Sequence, residues 1–122
     1  MPLIVRAYPL RASVEEVKAF GAALVARQAE TDEFYRQFGV SHESWHVQQT
    51  PDGPWLISVT KLENPTEAAP RYAKSSLSFD SWFKREVLRL SGVNPDKEPL
   101  GPPTAQLFSW SDERVAASNL CT

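Results

Sequence analysis

Residues 43 to 62 constrain this chain more than any other stretch. Glu43 to Thr50 and Trp55 to Leu62 are two runs rich in strand-forming residues. Between them stands Pro51-Asp52-Gly53-Pro54. Proline presets the backbone of a tight turn, aspartate bonds to nearby backbone, and glycine accepts a positive φ. The pair predicts an antiparallel hairpin, and the rest of the chain has to be arranged around it.

Upstream, Leu3 to Leu10 reads as a first strand closed by Pro9. Ser13-Val14-Glu15-Glu16 carries the capping-box pattern, and Val17, Phe20, Ala23 and Leu24 continue at helical spacing to about Gln28. Thr31 to Phe38 is a second helical stretch that Gly39 stops. Downstream, Asn64-Pro65-Thr66-Glu67 opens a short helix that Pro70 should break or restart. Ser78 is the expected N-cap of a last helix, with Phe79, Phe83, Val87 and Leu90 on one face, Trp82 beside them, and Gly92 as its end. Residues 93 to 103 hold four prolines and read as a surface loop, and Ala105 to Trp110 alternates as a fourth strand. The order predicts a ferredoxin-like βαββαβ α+β fold in one domain over residues 1–122. Its four-stranded antiparallel sheet should carry the helices on one face.

Charge and cysteine usage narrow the function classes. Thirteen basic residues are scattered among fifteen acidic ones, for a net charge of −2, so there is no basic stripe for a phosphate backbone and no nucleic-acid partner is expected. A ferredoxin-like nucleic-acid binder would also need aromatics flanked by basic residues on its central strands, and Tyr8 and Phe108 alone do not supply them. The single cysteine, Cys121, allows neither an internal disulfide nor a cysteine-based metal site. No apolar run approaches the roughly 20 residues that span a bilayer. Met1 to Arg6 does not make a signal peptide, so the expected location is the cytoplasm, with no membrane partner. Five glycines stand singly, which leaves no phosphate-binding loop.

Strand alternation divides the sheet residues into two sets. Leu3, Val5 and Ala7, Trp45 and Val47, Trp55, Ile57 and Val59, and Ala105 and Leu107 form an apolar set expected to face the helices. Ile4, Arg6 and Tyr8, Ser44, His46 and Gln48, Leu56, Ser58 and Thr60, and Gln106, Phe108 and Trp110 form a mixed polar and aromatic set expected on the open face. Such a mixture suits a partly enclosed cavity with convergent polar groups. His46 is the candidate acid or base, Arg6 the candidate partner of a carboxylate or enolate oxygen, and Tyr8 a donor to developing negative charge. Gln48, Ser58, Thr60, Gln106, Phe108 and Trp110 are the candidate ligand contacts. The plainer alternative makes His46 a surface or dimer-contact residue satisfied by Gln48 or Ser58. His42 and His46 do not lie on a helix, so they are not read as a metal pair, and no metal or cofactor is expected. Trp45 and Trp55 are expected to stack as core aromatics.

Three stretches carry a resemblance to a known group: Val14-Glu15-Glu16-Val17, the hairpin from Glu43-Ser44-Trp45 through Thr50-Pro51-Asp52-Gly53, and Ser78-Phe79-Asp80-Ser81-Trp82-Phe83-Lys84. On these the chain resembles the dimeric α/β-barrel superfamily and, more narrowly, a family of small uncharacterised bacterial proteins. The resemblance implies a homodimer whose lumen holds any ligand. It also implies a range of activities, from cofactor-independent monooxygenases and isomerases to heme-handling enzymes and stress-induced proteins. Two functional expectations follow. One is a homodimer that binds a small apolar or aromatic metabolite. The other is a cofactor-independent oxygenase or isomerase of a phenolic or enolisable substrate, with His46 as its acid or base.

Overall fold

The hairpin forms as its turn residues require. Thr50 Oγ1 donates to the Gly53 carbonyl at 2.7 Å and accepts from the Asp52 amide at 3.2 Å, while Gly53 takes a φ of 111°. The computed structural model of the chain describes residues 2–93 and 104–112. Around the hairpin run β1 (Leu3–Pro9), α1 (Val14–Ala26), α2 (Gln28–Gln37), β2 (Val40–Thr50), β3 (Gly53–Leu62), α3 (Pro65–Lys74) and α4 (Ser78–Ser91). The three strands make an antiparallel sheet in the order β1-β3-β2, with an irregularity in β2 between Val40 and His42.

The helix signals act mostly where the sequence puts them. Ser13 Oγ accepts from the Glu16 amide at 3.2 Å while the Glu16 carboxylate accepts from the Ser13 amide at 2.8 Å, which completes the capping box. Asn64 caps α3 by accepting from the Glu67 amide at 3.2 Å. Gly92 ends α4 with a φ of 77°, and a Cβ there would collide with the Arg11 side chain. Two expectations need correction. Ser78 is the first residue of α4 and Leu77 precedes it as a cap without a side-chain bond. Pro70 lies inside an unbroken α3. It is exposed, so the carbonyl it leaves without a partner faces water, while Ala68 and Tyr72 hold the helix in the core.

All four helices press one aromatic layer onto the sheet. Phe34 has the rings of Tyr35, Phe38, Tyr72, Phe79 and Phe83 around it at centroid distances of 4.3 to 6.1 Å. Its burial is worth about 1.5–3 kcal/mol before these ring contacts add to it. Lys84 ties α4 to the end of α3, because its buried ammonium donates at 2.9 Å to the carbonyls of Ala73 and Ser75. Arg27, between α1 and α2, lays its guanidinium over Phe79 and Trp82 at 4.8 and 4.6 Å. No described helix is long and apolar enough to cross a membrane.

The strand registers reverse the expected facing of β1 and β3. Paired residues share a face, so Ile4, Thr60 and Glu43 form one row, Arg6, Ser58 and Trp45 the next, and Tyr8, Leu56 and Val47 a third. These rows meet the helices, and Leu56 belongs to the core. The apolar set of Leu3, Val5, Ala7, Trp55, Ile57 and Val59 lies on the opposite face with Ser44, His46 and Gln48, and Leu3 remains 51% exposed. Alternation separates two sets without saying which one is inner. The helices bring enough aromatic surface to close over the more polar set. For the same reason Trp45 and Trp55 do not stack: Trp45 packs on Phe20 at 5.5 Å and 20°, while Trp55 pairs with Gln48 on the far face.

A fourth strand does not form in the described part of 105–110. Thr104 donates to the Val5 carbonyl through both its amide, at 2.8 Å, and its hydroxyl, at 2.7 Å, and strand pairing goes no further. Leu107, Phe108 and Trp110 are 95%, 83% and 76% exposed, so they contribute nothing to the core. The loop expected from residue 93 and the chain end lie mostly outside the described residues.

Candidate functional site

The inward positions of β3 run Leu56, Ser58, Thr60, Leu62, with two small residues between two large ones. Their neighbours across the sheet are long, with Arg6 and Trp45 flanking Ser58 and Ile4 and Glu43 flanking Thr60. The sheet floor therefore dips at its centre. Above the dip, Phe20, Phe34, Phe38, Tyr72 and Phe83 form an aromatic roof. The space between is a cavity of about 140 Å3. That is comparable to the engineered apolar cavity known to take up benzene.

Most of the wall is apolar, and apart from Tyr72 of α3 and Ser91 of α4 its polar groups gather toward the sheet. Arg6 and Tyr8 come from β1, Ser58 and Thr60 from β3, Glu43 from β2, and Tyr35 leans in from α2. Glu43 organises this end. Its Oε2 accepts from Thr60 Oγ1 at 2.5 Å and its Oε1 from Trp45 Nε1 at 2.9 Å, so two neighbours fix the carboxyl plane. Arg6 and Glu43 stand on the two outer strands with β3 between them, about 10 Å apart across the sheet at the backbone. Their side chains therefore address the same space from opposite sides.

Burial dominates the electrostatics. It pushes the Glu43 carboxyl above the usual carboxylate range, and the hydrogen bonds from Thr60 and Trp45 and the charge of Arg6 pull back only in part. It lowers the Arg6 guanidinium from its ordinary value, against the opposing pull of Glu43 and Tyr8. It raises the Tyr8 phenol, and the nearby charge of Glu43 adds to that effect while Arg6 opposes it. Tyr35 is raised strongly by burial, with smaller contributions from Glu43 and Tyr72. For both Arg6 and Glu43 the loss of hydration outweighs their mutual attraction. A cluster of perturbed groups in a concave apolar site is what a functional site requires.

The sequence-derived candidates divide between the two sheet faces. Arg6, Tyr8, Ser58 and Thr60 are brought together in the cavity. His46 is not among them: it is exposed on the opposite face, where its Nε2 lies 3.0 Å from Ser44 Oγ, itself 3.0 Å from His42 Nε2. Its register partner is Ile57, one residue out of phase with Ser58. Gln48 is exposed on that same face and bonds to the Gln49 carbonyl at 3.1 Å. Gln106, Phe108 and Trp110 are exposed in the segment that forms no fourth strand, and they do not line the cavity. The set His46, Arg6 and Tyr8 therefore does not converge. Among the described residues no group of three or more His, Cys, Asp or Glu side chains could hold a metal ion.

Sequence reasoning missed Glu43 and Tyr35. The signal for Glu43 was present: it shares the alternation of Trp45, and a carboxylate two residues from a core tryptophan is an inward charge. Tyr35 stands with Phe34 and Phe38 on one side of the second helical stretch, where an aromatic reads as core and not as a site residue. Comparison with known proteins finds no matching family model, curated protein or solved structure.

A carboxyl with a raised folded-state pKa holds its proton more tightly when folded. Its contribution is most favourable below the unfolded value near 4.5 and is lost as pH rises through the folded value. Urea unfolding from about pH 4 to about pH 8 should therefore show the native protein losing stability with rising pH relative to Glu43→Gln. Parallel pH profiles for the two proteins would mean that Glu43 is not buried as described.

Proposed function

We propose that this protein binds a small ring-bearing molecule in the cavity between sheet and helices, with one oxygen function of the ligand at the sheet end. The observation that carries this reading is the division of the cavity wall. Aromatic rings close its roof, and Arg6, Glu43 and Tyr8 line its sheet end. A planar apolar ligand gains ring contacts on the roof. A ketone or phenol oxygen gains a donor from Arg6 or Tyr8.

A second copy of the chain is the partner this reading includes. The strand order β1-β3-β2 suits a ferredoxin-like sheet whose fourth place lies beside β1, next to Thr104. The face away from the helices carries Leu3, Val5, Ala7, Trp55, Ile57 and Val59, an apolar surface of the kind that pairs two sheets. The ligand then belongs to each subunit's own cavity and not to the space between subunits. An oxygenase or isomerase that uses His46 gains no support, since His46 stands on the paired face, away from Arg6 and Tyr8.

Two experiments test these statements. Ser58→Leu fills the dip in the floor. It should keep the native circular dichroism and lose the rise in Tm that small aromatic ketones and phenols give the native protein. An equal rise in both proteins would place binding elsewhere. Ile57→Glu puts a charge at the centre of the apolar sheet face and should turn a dimer into a monomer by light scattering. An unchanged dimer would mean that the subunits meet through another surface.

A further inference from the structure

The feature that goes furthest beyond binding is the carboxyl of Glu43. It is held in place by Thr60 Oγ1 at 2.5 Å and Trp45 Nε1 at 2.9 Å, on the wall of a cavity that also presents Arg6 and Tyr8. Two hydrogen bonds leave each carboxylate oxygen a second acceptor position. Those bonds orient the group and lower its basicity, but by less than burial raises it.

We propose that Glu43 is a catalytic base for enolisation, acting on a ring-bearing ketone bound in the cavity, with Arg6 and Tyr8 beside the oxygen that becomes the enolate. The proposal rests on the cavity binding such a molecule, as inferred above. In the step, a Glu43 oxygen takes a proton from the carbon next to the carbonyl. The C–H electron pair becomes the carbon–carbon double bond of the enolate, and the carbonyl π pair moves onto oxygen as negative charge. Arg6 and Tyr8 donate to that oxygen. Protonated Glu43 then either exchanges its proton with solvent and delivers a solvent-derived one to the same carbon, or passes its proton to a conjugated carbon. The sum is exchange or isomerisation, and it needs no oxidant, metal or second substrate.

The surroundings suit the step from both sides. The charge in the transition state moves from Glu43 toward the end of the cavity that holds Arg6, so the guanidinium gains attraction as the reaction proceeds. Glu43 is faced by Arg6 and Tyr8 from β1, by Tyr35 from α2 and by Tyr72 from α3, and β3 adds only the neutral Thr60 and Ser58. The α1 and α4 walls present Phe20, Phe83, aliphatic side chains and the neutral Ser91. Burial raises the basicity of Glu43 above that of a solvated carboxylate, which moves it toward the range where proton transfer from carbon is efficient near neutral pH.

The test uses the full chain with 1-indanone as probe in deuterated buffer. Binding is read from protein resonances, and the loss of the α-proton signal reads exchange. The native protein should bind the ketone and deuterate it faster than buffer, with a rate that rises with pH through a point above the usual carboxylate range. Glu43→Gln should bind it with similar affinity and deuterate it about 100-fold or more slowly. Glu43→Asp, which keeps a carboxylate on a shorter arm, should fall between the two. Binding without exchange in the native protein, or equal exchange in Glu43→Gln, overturns the catalytic role and leaves the cavity reading intact. No binding of 1-indanone overturns both.

Discussion

The structure depends on how an aromatic helical layer meets a sheet whose inner centre is small. Phe34 and the rings around it form a rigid surface that cannot follow the dip over Ser58 and Thr60. Leu56 and Leu62 close the ends of that dip, and Arg6, Trp45 and Glu43 raise its sides. The two layers therefore leave a hollow between them. Larger residues at 58 and 60 would fill that space.

The charges follow from the same arrangement. Putting a guanidinium and a carboxyl on opposite sides of an apolar hollow removes water from both, and their attraction across the sheet does not make up the loss. The hollow that packing leaves at the sheet centre therefore carries the perturbed groups on its wall.

Much of the fold was legible in the residues. The turn at Pro51 to Pro54, the box at Ser13 and Glu16, and the stop at Gly92 are local signals with local causes, and each acts where it stands. Facing was not legible, because it depends on which set the helices cover, and β1 and β3 send their more polar residues inward. Arg6, Tyr8, Ser58 and Thr60 were grouped correctly since they share one alternation, although the face assigned to them was the other one. His46 joined them only through an assumed register that put β2 one residue out of phase with β3. The fourth strand failed for a related reason. Alternation in Ala105 to Trp110 describes a segment able to pair, and pairing also needs an edge that accepts it beyond Thr104.

The inward facing of the polar set underlies every later step. The most direct measurement of it is the pattern of nuclear Overhauser contacts from strand methyl groups to helix rings. The account predicts contacts from the Leu56 methyls to ring protons of the Phe34 and Phe83 layer, and none from the methyls of Ile57 and Val59. Ring contacts from Ile57 and Val59, with Leu56 silent, would contradict it.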